Sequence, residues 1–324
     1  MRRLRLVPAE TAWDFFARSR ITFGASVVAV VISLLAFLAL GLNYGIDFRG
    51  GTTIRTESHA PVDVGAYRQA LQELGLGDVS VTEVFDPTFE AGKHVAMIRI
   101  EAQSGEEAAS PDLVARVEAA LKTVDPTIVF TSVESVGPKV SGELIRTAVI
   151  AVLLAIAAVL FYIWLRFEWQ FSVGAVVALV HDVLITVGVF SIFRIQFDLA
   201  TIAALLTIVG YSLNDTVVVF DRVRENLVKY KKKPLVEVLN LSINETLSRT
   251  VMTSVTTLIA LVVLLVLGGD VIRGFVFAMT LGVVVGTYSS VFVASTILMW
   301  LGTKRDWSKP DANQGNQFSG PEAP

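Results

Sequence analysis

The chain has 324 residues, 53% of them hydrophobic and 18% charged, with a formal net charge of −3. A water-soluble domain carries about 25% charged residues, so a composition this apolar, bunched into long runs, points to membrane insertion. With no cysteine and three histidines, disulfides, thiolate catalysis and cysteine metal centres are excluded, and a His-rich metal site is not expected.

The segment 1–20 carries Arg2, Arg3, Arg5, Arg18 and Arg20 and reads as cytoplasmic. A first apolar run follows over 21–42. At about 22 residues it exceeds the 7–15 of a signal-peptide core, so it reads as an uncleaved anchor. Residues 43–144 form a long segment outside the membrane. TTIRTES (52–58) alternates like a strand. Residues 63–75 read as a helix, with Asp63 as N-cap, Gly75 as stop and Val64, Tyr67, Leu71 and Leu74 on one face. DVSVTEVF (78–85) is a second strand, DPTFEAGK (86–93) a turn and HVAMIRI (94–100) a third strand. Ser110, Pro111 and Asp112 start a helix that carries Leu113, Val117, Leu121 and Val124 on one face. TIVFTSVES (127–135) closes as a strand. The order β-α-β-β-α-β is the ferredoxin-like pattern, an α+β domain. Between residues 45 and 138 there are 15 acidic and 7 basic residues, a balance of −8. Such an acidic exterior argues against nucleic acid or anionic lipid as a partner.

Five more apolar runs follow, at 145–165, 171–193, 199–220, 247–267 and 274–301. With the first they make six spans, each near the ~17–25 residues that cross ~30 Å of hydrocarbon. RIQFD (194–198) alone separates the third from the fourth, and a short segment with Arg273 separates the fifth from the sixth, so both pairs are tight hairpins. The segment 221–246 holds Arg222, Arg224, Lys229, Lys231, Lys232 and Lys233. Within it, PLVEVLNLSINETL (234–247) spaces Leu235, Val238, Leu239, Ile243 and Leu247 as an amphipathic helix lying at the membrane face. The tail 302–324, with Lys304, Arg305 and Lys309, is rich in Pro, Gly, Asn and Gln and reads as disordered. The opposite tight loops carry Arg194 and Arg273 alone. Counting Lys and Arg therefore places both termini in the cytoplasm and the α+β domain outside.

Polar groups interrupt the spans. His181 and Asp182 fall near the middle of the third, and Asn214 and Asp215 in the cytoplasmic half of the fourth. By these boundaries Asp215 lies about five residues, or roughly 7.5 Å, from its helix end. Arg249 begins the fifth span, and its long side chain can reach Asp215 if the two helices are neighbours. A carboxylate in a bilayer costs roughly 2.5–3.5 kcal/mol, and such groups mark ion or proton pathways. Burial disfavours a charged carboxyl and a nearby arginine favours it. An aspartate whose arginine partner comes and goes would therefore bind and release a proton. Moving one charge through 100 mV supplies ~2.3 kcal/mol, comparable with the desolvation cost. The plainer reading makes Asp215 and Arg249 a static ion pair, and His181 with Asp182 a polar pair inside the bundle. In the sixth span Ala278, Gly282, Gly286, Ser290 and Ala294 recur every four residues, a stripe that lets some other helix approach closely. Two aspartates on adjacent spans also suggest an intramembrane aspartyl protease, but its GxGD context is absent and the inferred depths differ. No GxxxxGK[ST] is present, so ATP hydrolysis is not expected. No cluster has metal-ligand spacing, and no cofactor is expected beyond an ion gradient.

Four motifs resemble one family. They are GIDFRGG (45–51) after the first span, VGPKVSGEL (136–144) before the second, the His181-Asp182 pair, and GYSLNDTVVVFDRVREN (210–226). Together, over about residues 15–305, they are similar to the SecF members of the SecD/SecF family. These are membrane subunits of the bacterial Sec translocation machinery, in the resistance–nodulation–division superfamily. The resemblance implies a cytoplasmic-membrane protein that works with SecD beside the SecYEG channel, with YajC or YidC as further candidate partners. It implies use of the proton motive force to pull or release a translocating unfolded polypeptide. It also implies that Asp215 and Arg249 serve proton transport, and that His181, Asp182 and Asn214 are relay or structural polar groups. Six spans would be half of such a bundle, the other half coming from SecD. Gly45, Asp47, Gly50 and Gly51 would form the hinge that passes motion to the outer domain, or simply a turn into the first strand. Within the superfamily, an exporter of lipid or small molecules is the alternative; an outer domain of about 95 residues in one copy distinguishes this chain from it.

Overall fold

The structure, a computed structural model, describes residue 8 and residues 11–77, 79–84, 92–101 and 110–303. Most of the expected turn 86–93 and nearly all of the tail lie outside the described residues. In chain order, helix α1 (Ser19–Leu40) leads into a two-residue strand β1 (Asn43–Tyr44) and a single helical turn α2 (Ile46–Arg49). The α+β domain follows as β2 (Gly51–Ser58), α3 (Val64–Gln72), β3 (Val79–Val84), β4 (His94–Glu101), α4 (Pro111–Val124) and β5 (Val129–Val136). The remaining elements are α5 (Pro138–Arg166), α6 (Trp169–Ile192), β6 (Gln196–Phe197), α7 (Leu199–Lys229), α8 (Leu235–Leu267) and α9 (Gly269–Ser289). A π-turn (Ser290–Ala294) and α10 (Ser295–Leu301) continue α9. Six of these helical stretches are long and apolar enough to cross a membrane.

The domain's sheet is antiparallel in the order β3-β4-β2-β5, the arrangement of a ferredoxin-like fold. Asp63 accepts the N–H of Ala66 at 2.9 Å and Ser110 Oγ that of Leu113 at 3.2 Å. These caps start α3 and α4 where the sequence places them. Tyr67 and Leu71 from α3 and Val117 and Leu121 from α4 pack on Ile54 and Ile98 of the sheet. The other sheet face is polar and sits over the loops of the bundle. Between them is a cavity of about 440 Å³ bordered by Arg55, Arg99 and Glu134 above and Gln196, Asp198 and Arg273 below. Arg99 Nη2 donates to Gln196 Oε1 across it. Burial loosens the hold of the Arg99 guanidinium on its proton, and the charge of Asp198 opposes that effect.

Three boundaries differ from the sequence expectation. Helix α5 starts at 138 rather than 145, because the polar PKVSGEL segment (138–144) is helical although hydropathy alone cannot register it. Helix α7 continues past 220 to Lys229, with Val223 and Asn226 buried. Asp215 is then 16 residues from Leu199 and 14 from Lys229, at the middle of its helix rather than near one end. The segment 234–247 is the start of the 33-residue helix α8, not a separate helix at the membrane face. Its Val238, Leu239, Ile243 and Leu247 are buried in the bundle. An apolar stripe fits a membrane surface and a neighbouring helix equally well, and here α7 supplies the neighbour. Asn226 Nδ2 donates to Ser242 Oγ at 3.0 Å, and Arg222 Nε to Glu245 Oε2 at 2.7 Å.

The small-residue stripe of α9 packs on α7. A Cβ at Gly282 would collide with the Ile208 side chain, and one at Gly286 would lie 3.1 Å from Ser212 Cβ. Gly282→Leu should therefore force the two helices apart and cost about 1–3 kcal/mol by overpacking. Gly24→Leu on α1, where nothing lies within 4 Å, should be neutral. Thermal melts of the detergent-solubilised protein compare the two; equal melting temperatures would refute the packing assignment.

Candidate functional site

Two carboxylates occupy the middle of the bundle. Asp215 is 7% exposed and Asp182 1%. Asp215 Oδ1 accepts from Thr250 Oγ1 of α8 at 2.6 Å, and its Oδ2 accepts from Ser290 Oγ at the head of the π-turn. Asp182 Oδ2 accepts from Ser212 Oγ of α7 at 2.6 Å and from Ser289 Oγ of α9 at 2.8 Å. Its Oδ1 lies 2.9 Å from Nδ1 of His181. Hydroxyls from neighbouring helices thus stand where water would stand around an exposed carboxylate. The close approach of α9 to α7 is what permits this: Gly286 leaves room for Ser212, whose hydroxyl reaches Asp182.

The expected contact between Asp215 and Arg249 is not made. Among the described residues no salt bridge joins them, and Arg249 is exposed on the outer surface of α8. Helical geometry is the reason. Successive residues are turned by about 100°, and Thr250 holds the inward position that faces α7. Asn214 is displaced in the same way from Asp215 and is also exposed. The outer faces of α7 and α8 carry further small or polar residues, Thr207, Gly210, Thr253 and Thr256, at depths where lipid-facing residues are normally apolar.

The depth argument against an aspartyl pair is also corrected. Asp182 and Asp215 are held by consecutive serines, so they lie at one level. Their hydrogen bonds nevertheless go to hydroxyls and to His181 and not to each other, whereas an aspartyl-protease dyad shares a proton directly.

The GIDFRGG segment is built against the start of α7. Strand β1 pairs in parallel with β6, and Gly45 N–H donates to Phe197 O at 2.8 Å. A Cβ on Gly45 would lie 2.8 Å from Gln196 Nε2. Gly50 and Gly51 adopt φ of 74° and 130°, which favours glycine. Asp47 Oδ2 accepts the N–H of Leu199 at 3.0 Å, and Asp198 accepts that of Thr201 at 2.8 Å. Both carboxylates satisfy free N–H groups at the first turn of the helix that carries Asp215.

Sequence reasoning singled out Asp182, Asp215 and His181 but missed Thr250, Ser212 and Ser289 as their donors, and took Ser290 only as a packing residue. In an apolar run a serine reads as a small residue, and its role as donor emerges only when the facing carboxylate is known. The consecutive Ser289 and Ser290 were the available signal.

Comparison with known proteins places this architecture. The family model "Protein export membrane protein SecD/SecF, C-terminal" matches residues 116–304, and the SecD/SecF GG motif matches 35–62. The chain is 64% identical over 321 residues to the protein translocase subunit SecF of Cereibacter sphaeroides, covering 99% of each chain. It is 60% identical over 315 residues to that of Rhodobacter capsulatus, covering 95% of each. The SecDF translocase subunit of Brucella abortus is 40% identical over 304 residues, which span 94% of this chain and 39% of that one. The crystal structure of SecDF, a translocon-associated membrane protein from Thermus thermophilus, superposes with a TM-score of 0.81 at 36% identity, over 91% of this chain and 39% of that chain. The chain belongs to the SecF family of protein translocase subunits, multi-pass membrane proteins of the Sec system.

Proposed function

We propose that this chain, paired with SecD, couples proton movement through the bacterial cytoplasmic membrane to the export of unfolded polypeptide through the SecYEG channel. It has no catalytic chemistry of its own and no cofactor beyond the proton gradient. Its termini face the cytoplasm and its α+β domain faces out. The clusters Arg222, Arg224, Lys229 and Lys231 to Lys233 lie at the end of the bundle remote from the domain, which supports this orientation.

One observation carries the reading. Asp215 is buried at mid-helix among hydroxyls alone, while the cation Arg249 stands one residue from its donor Thr250 without touching it. Hydroxyls both donate and accept, so Thr250 and Ser290 can serve the carboxylate and the neutral acid alike. Loss of the proton leaves a charge that draws Arg249 inward; regain of it lets the guanidinium go. Helix α7 connects this exchange to the outside. Its first turn is tied to Asp47, and the loop ahead of it is tied through Gln196 to Arg99 of the domain.

The relatives in which SecD and SecF form one chain support SecD as the partner. The exposed faces around Asn214 and Arg249 suit that partner's helices, since polar and small residues promote helix contact in a bilayer. An exporter of small molecules would use a similar bundle, but the identity to translocase subunits favours protein export.

Asp215→Asn should preserve assembly with SecD and abolish proton-dependent stimulation of export into inverted membrane vesicles; full stimulation in that variant would refute the relay. Among the described residues Arg249→Met removes no side-chain hydrogen bond or salt bridge, so the melting temperature should stay unchanged while the stimulation falls at least tenfold. A fall in melting temperature with export intact would instead make Arg249 a structural residue.

A further inference from the structure

His181 has a polar atom that the relay through Asp215 and Arg249 does not use. The residue is 5% exposed, and its Nε2 is buried without a hydrogen-bond partner. Its other nitrogen faces the carboxylate of Asp182. When Asp182 is ionised its carboxylate only accepts, so Nδ1 then carries the hydrogen and Nε2 of a neutral ring a lone pair. A buried imidazole with one nitrogen on a carboxylate and the other without a partner among the described residues can take a proton supplied by the gradient at Nε2 and release the one at Nδ1. The N–H bond at Nδ1 breaks, an O–H bond forms at Asp182 Oδ1, and the ring returns to neutrality as the other tautomer.

The backbone links this pair to Asp215. Asp182 is held by Ser289, and Asp215 by the next residue, Ser290. The two serines straddle the junction where α9 widens into the π-turn, and Ser295 Oγ donates back to Ser290 O at 3.1 Å. π-turns inside helices occur frequently at functional sites. Because consecutive residues point about 100° apart, one short turn of backbone addresses two carboxylates on two different helices. A serine that turned with a change of charge at either carboxylate would carry its neighbour's hydroxyl with it.

We propose that His181 is a second proton-carrying group of this chain, coupled to Asp215 through Asp182 and the adjacent hydroxyls of Ser289 and Ser290. This rests on the relay reading for Asp215 and adds a second station to it. The titratable or charged groups around the two stations are Asp182 on α6, Tyr288 on α9, whose ring stacks 6.2 Å from that of His181, Asp215 on α7 and Arg249 on α8. Helix α1 presents Phe23, Ser26, Val27 and Val30 to the crevice that His181 lines, and none of these titrates.

The test is infrared difference spectroscopy of the complex with SecD in lipid, with histidine ring-labelled, titrated over pH. In the wild type both the Asp215 carboxyl band, identified by its loss in Asp215→Asn, and the His181 ring band should titrate. His181→Gln should move the Asp215 midpoint by about one pH unit, a tenfold change in proton affinity. Asp215→Asn should move the His181 midpoint by a similar amount, because coupling between binding sites is reciprocal. Combined with Ser289→Ala, which removes one donor to Asp182, His181→Gln should shift the Asp215 midpoint at least threefold less than it does alone. An Asp215 band that titrates identically with and without His181 overturns this proposal and leaves the relay standing. An Asp215 band that never titrates overturns the relay and this proposal with it.

Discussion

A charge buried among helices needs groups that stand in for water, and in this protein those groups are hydroxyls. Asp182 and Asp215 draw on Ser212, Thr250, Ser289 and Ser290, contributed by α7, α8, α9 and the π-turn. A hydroxyl suits this position better than an amide or a guanidinium for two reasons. It is small enough to let helices approach, and it reverses between donor and acceptor as a proton comes and goes. Packing and chemistry therefore make the same demand on the sequence. The small stripe that draws α9 onto α7 also brings the serines within reach of the carboxylates, and Gly286 serves both ends by making room for Ser212.

The same helix that carries Asp215 carries the connection to the outer domain. At 31 residues α7 is about 46 Å long at 1.5 Å per residue, so it reaches from the carboxylate to the loops beneath the sheet without interruption. Its first turn is satisfied by two carboxylates from different parts of the chain, Asp198 from the preceding loop and Asp47 from the GIDFRGG segment. The parallel pairing of β1 with β6 joins those parts, and Gly45 allows the approach because a side chain there would collide with Gln196. Arg194, at φ 53°, donates to the last carbonyls of α1. The connection combines hydrogen bonds to helix ends with one side-chain bond to the domain, from Arg99 to Gln196.

Elements with a strong local signal were legible in the sequence. Asp63 and Ser110 announced their helices, the alternating strands gave the order of the α+β domain, and apolar length gave six spans. What sequence could not supply was context beyond one helix. The amphipathic stretch from Leu235 to Leu247 has the same pattern whether its partner is a membrane surface or a neighbouring helix, and the buried position of Ile243 distinguishes them only in three dimensions. The polar stretch from Pro138 to Leu144 was invisible to hydropathy although helical. Asp215 and Arg249 were both found, but their relation was not, because whether a residue or its immediate neighbour faces inward depends on the rotation of α8. The π-turn at Ser290 had no signature at all, since a widened turn leaves the composition unchanged.

The outward position of Arg249 follows from the same rotation, and it has an energetic consequence. An exposed arginine within a membrane span is costly, up to roughly 2.5–3.5 kcal/mol at the helix centre on insertion scales. Asn214 adds an exposed amide with no side-chain hydrogen bond among the described residues, and Thr253 and Thr256 extend the polar surface. Packed alone, this bundle therefore carries an unfavourable outer face that a second helical half would relieve. That relief makes assembly and function two aspects of one balance. Under the proposed relay, a partner that hydrogen-bonds Arg249 outward would weaken its pull on Asp215, and one that withdraws would strengthen it. Proton affinity at the buried carboxylate would then report the position of the neighbouring half, and movement of that half would follow from each proton taken or released. A chain with Arg249 already locked onto Asp215 would lack this freedom: its carboxylate would be satisfied in one state, with nothing left for a proton or a partner to change.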